Sequence, residues 1–276
     1  MNMTIDRYAV IGNPIAHSKS PIIHTAFAQA TGQALTYERL LAPRDGFVAT
    51  VERFVSEGGK GLNVTIPFKL EAFALAREHS ARATSAGACN TLAWRGDHWY
   101  GDNTDGAGLL RDLVHNVGGT IAGRDVLVLG AGGGARGILL PLLRESPRRL
   151  VIANRTQSRA VELAAAFAAL GPVTAVAPTA LAGQRFDVVI NATSIGLGSE
   201  VPRDLWPTGL FADGALAYDL VYANAVTPFL SWATEQGAAK TADGLGMLIE
   251  QAAEGFALWR GVRPDTAPVF ALMRSS

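Results

Sequence analysis

The chain has 276 residues, more than one typical domain needs and about right for two. Lys and Arg number 24 and Asp and Glu number 24, so the net charge is zero, and no clustered basic block is present to release counterions from nucleic acid. No apolar run approaches the roughly 20 residues of a membrane span, and the N-terminus lacks the basic-then-apolar layout of a signal peptide. Cys89 is the only cysteine, which excludes an intrachain disulfide and fits a reducing cytoplasm. The five histidines are scattered, with no H-E-x-x-H or C-x-x-C spacing, so no metal is expected.

Tyr8–Gly12 reads as a first strand. After a polar loop, Ser20 and Pro21 have the types of an N-cap and first helical residue, and Gly32 suits the C′ position that ends the helix. That reading explains Ser20 and leaves Ser18 as either a solvated hydroxyl or a site residue. Tyr37–Leu41 is a second strand. Phe47, Val48, Val51, Phe54 and Val55 recur at helical spacing, and Gly58–Gly59 ends that helix. Gly61–Ile66 is a third strand and carries Asn63. Asparagine is poor in strands, so its amide must find partners at the strand end or in a site. Pro67 then opens a helix and places Lys69 in the first turn. The positive end of a helix dipole disfavours an ammonium there, and partial burial would lower its pKa further, which suits proton transfer near neutral pH. The bland alternative is an exposed lysine that tolerates mild repulsion.

Ala88–Trp94 and Trp99–Gly101 flank a polar turn and predict a β-hairpin with His98 exposed at its tip. Asn90 lies on the first of these arms. Asp105 has the type and position of a helix N-cap ahead of an apolar stripe of Leu109, Leu110, Leu113 and Val117, and capping is compatible with a site role.

The strongest local signal follows. Val126–Leu129 is a short apolar run suited to a buried parallel strand, and Gly130-Ala131-Gly132-Gly133-Gly134-Ala135 leads into an apolar helix. This is G-x-G-x-x-A in its strand–turn–helix context, a dinucleotide-binding pattern. Gly130 would allow the tight turn, Gly132 the approach of a pyrophosphate, and Ala135 close helix–strand packing, with helix N–H groups facing the anion. Pro141 predicts a kink. Arg149–Ala153 is the next strand. Asn154 stands about where NAD-binding chains keep an acid for the ribose hydroxyls, and Arg155, Thr156 and Arg159 follow. Arginine there would pair with a 2′-phosphate, which favours NADP over NAD. The alternative is a solvated basic face on a helix over Thr156–Leu170.

Val173–Val176 and Phe186–Asn191 are further strands, and the polar loop Ala192-Thr193-Ser194-Ile195-Gly196 belongs at the ligand crevice of such a sheet. Leu216–Leu220 is another strand, followed by Val221 and Tyr222, the latter either a site residue or a rim aromatic. Thr227 starts a helix closed by Gly237. Gly244 leads into a last long helix whose apolar stripe Leu248, Ala252, Gly255, Phe256 and Trp259 also carries Gln251. A polar amide on that stripe needs hydrogen bonds, from a ligand or from buried neighbours. Asp265 or Thr266 caps a short terminal helix.

Gly12–Pro21, Leu62–Lys69, Gly87–Thr91, Asp102–Gly106, Gly130–Gly137, Asn154–Thr156 and Asp243–Gln251 together resemble the shikimate dehydrogenases, in that family's order, from Tyr8 to about Gly261. The resemblance implies an α/β fold of two domains with a cleft between them that closes over the substrate. One is a discontinuous substrate domain (1–105 and 244–276); the other is a Rossmann-type doubly wound parallel sheet (106–243). It implies NADPH-dependent, reversible reduction of 3-dehydroshikimate to shikimate on the route to chorismate and the aromatic amino acids, by a monomer or homodimer. Motif by motif, it implies that Lys69 and Asp105 are the catalytic pair and that Ser18, Ser20, Asn63, Thr65, Asn90, Tyr222 and Gln251 bind substrate, the two serines at the ring carboxylate. It places the cofactor on Gly130 to Ala135, Asn154, Arg155, Thr156, Arg159, Thr193, Val221 and Gly244. Some relatives carry serine at Ala135, and many carry proline at Ala225; neither departure touches the chemistry. Two other readings are open: a quinate/shikimate dehydrogenase with relaxed cofactor use, and a non-catalytic ligand sensor on the same fold.

Overall fold

The computed structural model describes residues 5–193 and 206–274. Ser194, Ile195 and Gly196 of the polar loop lie outside the described residues. Two compact units are present, residues 1–108 with 249–276 and residues 109–248.

The first unit contains strands β1 (Asp6–Gly12), β2 (Leu35–Leu41), β3 (Gly59–Val64), β4 (Glu78–His79), β5 (Thr91–Trp94) and β6 (Trp99–Asp102). They form one mixed sheet in the order β2-β1-β3-β5-β6-β4. β1 runs parallel to β2 and β3, and β5 is antiparallel to both β3 and β6. Helices α1 (Ser20–Thr31), α2 (Phe47–Ser56), α3 (Lys69–Leu75) and α4 (Ala81–Ala86) belong to this unit. Phe47, Val51 and Phe54 of α2 meet Ala9, Leu62, Val64 and Phe68 in one buried cluster, which is why the helical spacing of those apolar residues was readable.

The second unit is a fully parallel sheet of β7 (Asp125–Leu129), β8 (Arg149–Ala153), β9 (Val173–Val176), β10 (Phe186–Asn191), β11 (Phe211–Asp219) and β12 (Lys240–Ala242). Its order, β12-β11-β10-β7-β8-β9, is that of a doubly wound dinucleotide-binding sheet, with the order reversing between β7 and β10. Helix α5 (Asp105–Arg111) and a π-helical turn over Asp112–Asn116 precede β7. Leu109 and Leu113 are fully buried with Val126, Val128 and Ile138. Helices α6 (Gly133–Arg144), α7 (Gln157–Phe167) and α8 (Pro228–Glu235) follow, and α6 runs past Pro141. The long α9 (Leu245–Arg260) contains the second boundary between the units, and α10 (Ala267–Arg274) ends the chain.

Four local expectations are corrected. Ser20 is the first helical residue of α1 rather than its N-cap. The Ser18 hydroxyl accepts from the Ser20 amide, so the chain turns two residues earlier. Pro67 does not open α3; it sits in the turn that precedes it, and Lys69 is the first helical residue. Asp105 is likewise the first residue of α5 rather than its cap, because the Asn103 side chain accepts from the Asp105 amide and the Asp105 carboxylate is engaged elsewhere. His98 is half-buried rather than exposed, paired with Asp97 at 2.6 Å and Glu78 at 3.2 Å.

Candidate active site

The first unit concentrates its buried polar groups where β3, β5, β6 and the second half of α9 converge. β3 carries Asn63 and is paired in register with Thr91 of β5, and Thr91 faces Asp102 of β6. Asn90 immediately precedes β5, and Thr104 and Asp105 follow β6. The hairpin therefore brings Asn90 beside Thr104 and Asp105, although fourteen and fifteen positions separate them in sequence. Gly255 of α9 packs directly over Asn63 and Thr91; a Cβ there would lie 3.4 Å from Asn63 Nδ2. A small residue at this point of the stripe lets the helix pack over the amide and carry Gln251 with it.

The central contact is an ion pair. Lys69 Nζ lies 2.5 Å from Asp105 Oδ2, with the lysine side chain 20% exposed and the aspartate 8%. Lys69 starts α3, where the helix dipole opposes its charge, and the Asp105 carboxylate offsets that penalty. Asp105 starts α5, where the dipole favours an anion. Its other oxygen accepts from Asn90 Nδ2 at 2.8 Å. The same amide nitrogen donates toward Thr104 Oγ1 at 2.9 Å and Gln251 Oε1 at 3.1 Å. Asn90 Oδ1 accepts from the Thr104 backbone N–H at 2.8 Å and from Thr91 Oγ1 at 2.9 Å. Gln251 thus finds the hydrogen bonds that its place on an apolar stripe requires.

Asn63 joins the same network. Its Nδ2 donates to Thr91 Oγ1 at 3.2 Å, and its Oδ1 accepts from Tyr37 at 2.7 Å and from His24 at 3.0 Å. Ser18 donates to Ser20 Oγ at 3.2 Å, and the Arg39 guanidinium holds the Ser18 carbonyl at 2.6 and 2.9 Å. Thr65 is half-buried just past β3, and its Cγ2 fills the space that a Cβ at Gly12 would need. The sequence reading missed His24, Tyr37, Thr91 and Thr104 as participants. His24 carried a signal like that of Gln251, since it lies between Ile23 and Phe27 on the buried face of α1.

In the second unit the glycine turn lies at the point where the strand order reverses. Gly130 has φ +113°, and a Cβ there would stand 2.9 Å from the Ala192 carbonyl oxygen at the end of β10. Among the described residues nothing stands against Gly132 or Gly133, and no side chain caps the N–H groups at the start of α6. Ala135 is fully buried in the core beneath. Ala131 and Gly134 are partly exposed along the same turn. Free backbone donors, space above them and a helix N-terminus suit a pyrophosphate. Beyond β8, Asn154 folds back onto the Thr156 carbonyl at 2.9 Å, whereas the side chains of Arg155 and Arg159 are exposed and take no partner among the described residues. These residues fit a dinucleotide with a phosphorylated ribose.

The ends of β10 and β11 are tied together by Asp219, which accepts from Asn191 at 2.9 Å, the Val221 amide at 3.1 Å and Thr227 at 2.6 Å. Burial pushes its carboxyl above the ordinary range even though these three donors act to lower it. Asn191 in turn accepts from the Thr193 amide and hydroxyl. Thr193 and Val221 are thereby fixed. Gly244 donates to the Val221 carbonyl at 3.0 Å, and any Cβ there would collide with the Leu220 carbonyl oxygen. Tyr222 is half-buried, and burial pushes its phenol up. Among the described residues no cluster of His, Cys, Asp or Glu could hold a metal ion, and no helix is long and apolar enough to cross a membrane.

A doubly wound unit with this glycine turn, in one chain with an α/β unit that holds a lysine–carboxylate pair, defines the class of two-unit α/β dehydrogenases. Comparison with known proteins narrows the class: the chain belongs to the shikimate dehydrogenase family. The family's substrate binding domain matches residues 10–92, the shikimate/quinate 5-dehydrogenase description matches 112–197, and the shikimate 5'-dehydrogenase C-terminal domain matches 244–273. A shikimate dehydrogenase (NADP(+)) of Aromatoleum aromaticum is 59% identical, over 99% of this chain and 98% of its own. The one from Herminiimonas arsenicoxydans is 58% identical, over 100% and 99%. The crystal structure of shikimate 5-dehydrogenase from Thermus thermophilus in complex with NADP(H) and shikimate superposes with a TM-score of 0.84 at 33% identity, covering 98% of this chain and 99% of that one.

Proposed function

We propose that this protein catalyses the reversible, NADPH-dependent reduction of 3-dehydroshikimate to shikimate, with Lys69 as the proton donor and Asp105 as its partner. The observation that carries the reading is the 2.5 Å Lys69–Asp105 pair, enclosed on one side by amides and hydroxyls suited to a polyhydroxylated ring. When bound, the reduced nicotinamide supplies a hydride. Reduction of a ketone puts negative charge on its oxygen. An ammonium held in place by a carboxylate stabilises that charge and delivers the proton, and in the reverse direction the amine takes the proton back.

The remaining assignments follow from donor chemistry. Asn63, Thr65, Asn90 and Gln251 supply amide and hydroxyl partners for the ring hydroxyls, and Ser18 and Ser20 supply short donors for the carboxylate. A ligand without those groups would leave buried polar atoms unpaired, which is how such a site selects. Gly130 to Ala135 would hold the pyrophosphate, with Thr193, Val221 and Gly244 contributing the neighbouring backbone. Asn154, Arg155, Thr156 and Arg159 would hold the 2′-phosphate, since a guanidinium binds phosphate through paired charge-assisted bonds. The 59% identity to a shikimate dehydrogenase (NADP(+)) supports this cofactor over NAD and this activity over a ligand sensor.

The test is spectrophotometric: shikimate is added with NADP+ and formation of NADPH is followed, against quinate and NAD+ in parallel. Rapid turnover with shikimate and NADP+ is expected. Preference for quinate, or absence of turnover with every pair, would overturn the reading.

A further inference from the structure

His24 is buried on α1, stacked on Tyr37 with ring centroids 4.2 Å apart and flanked by Phe27, Phe256 and Trp259. One ring nitrogen, Nε2, lies 3.0 Å from Asn63 Oδ1, and the other, Nδ1, is buried with no hydrogen-bond partner among the described residues. We propose that His24 is a positioning residue, held as the Nε2–H tautomer, that fixes Asn63 with its oxygen inward and its N–H groups toward the substrate side.

Two independent features agree on that sense. First, the tautomer with hydrogen on Nδ1 would bury an N–H donor without an acceptor, whereas the Nε2–H form leaves only a weak lone pair unmatched. Second, the far end of the network is pinned by backbone. The Thr104 amide donates to Asn90 Oδ1, so that oxygen cannot turn away, and Thr91 donates its hydroxyl hydrogen to the same oxygen. Thr91 Oγ1 is then an acceptor toward Asn63 and requires N–H from it at 3.2 Å. With Nδ2 facing Thr91, Oδ1 faces His24 and Tyr37, and both must donate. The hydrogen bonds form a single directed series, from His24 to Asn63, Thr91, Asn90 and finally Asp105 Oδ1 at 2.8 Å.

The consequence is that Asn63 offers a ring hydroxyl a donor rather than an acceptor: the N–H whose partner in the protein, the Asn90 carbonyl, is distant at 3.5 Å. That part rests on the proposed reaction; the tautomer does not. Burial holds the ring neutral, with its pKa pushed down to about 3 against the opposing pull of Asn63, consistent with a fixed neutral donor.

Nitrogen NMR of the histidine-labelled protein tests the tautomer directly, with the His24 signal assigned by its loss in His24→Gln. Shifts of an Nε2–H imidazole are expected, and an Nδ1–H ring or an imidazolium would overturn the proposal. Steady-state kinetics test the consequence. A glutamine Nε2 sits where the imidazole Nε2–H does, so His24→Gln should retain the shikimate KM. His24→Phe keeps the ring but loses the donor, and should raise that KM about 3- to 10-fold, the effect of one neutral hydrogen bond made alike in ground and transition states, with the change on KM rather than kcat. An unchanged KM in His24→Phe would contradict the proposal. If that variant does not fold, the NMR of the unaltered protein still decides. An Nε2–H signal in a protein that does not turn over shikimate would overturn the reaction and uphold the orientation of Asn63.

Discussion

Lys69 and Asp105 are thirty-six positions apart in the chain, yet Nζ and Oδ2 approach to 2.5 Å because each begins a short helix shortly after an interior strand of the same sheet, β3 and β6. The pair is not symmetrical in its surroundings. Asp105 is the more buried partner and has a second hydrogen bond from Asn90, so it is the fixed member and the lysine is the one open to a ligand. Asp105→Asn should keep the shape and lose the charge. We expect kcat to fall by about 10²-fold or more, the scale for a positioned proton-transfer group. Steady-state rates with shikimate and NADP+ check this.

The side chains of Arg155 and Arg159 are exposed and take no partner among the described residues, so removing them should cost binding and leave the fold intact. Arg155→Ala should weaken NADP+ about 10- to 100-fold, since a hydrogen bond to a charged group contributes roughly 1.5–3 kcal/mol. NAD+ binding should barely change. Titration calorimetry with both nucleotides distinguishes this from a general loss of the site.

Gly130 combines a left-handed backbone with a close carbonyl neighbour. Gly130→Ala should therefore destabilise the protein by about 1–2 kcal/mol from the backbone alone, with the contact to Ala192 adding to it. Thermal denaturation should register the loss, and NADP+ affinity should fall with it.

His24 makes a pH-dependent contribution to stability. Burial lowers its pKa from 6.5 to about 3. Between those values the unfolded chain binds a proton that the folded chain refuses. The contribution is complete above the unfolded pKa and is lost as pH falls toward the folded one, at about 1.4 kcal/mol per pH unit. Denaturant unfolding at stepped pH should show a shallower acid slope in His24→Gln than in the unaltered chain.

The parts legible in the sequence were those with a short-range cause. The glycine turn was readable because strand, turn and helix are contiguous, and Gln251 because an amide on an apolar helical stripe demands partners. β8, Arg149–Ala153, is legible for the same reason, as an apolar run between clear turns. What escaped was set by tertiary pairing. Ser20 and Asp105 look like N-caps locally, but Ser18 and Asn103 supply the local acceptors instead. His24, Tyr37, Thr91 and Thr104 gain their roles only when α1, β2, β5 and the segment after β6 meet around Asn63 and Asn90. No local pattern encodes that meeting.

The proposed proton transfer depends most directly on Lys69. The decisive measurement is kcat for Lys69→Ala with shikimate and NADP+, beside the NADP+ dissociation constant of the same variant. If Lys69 is the proton donor, kcat falls by about 10²- to 10⁴-fold while NADP+ binding is unchanged. A variant that retains near-normal kcat would contradict it.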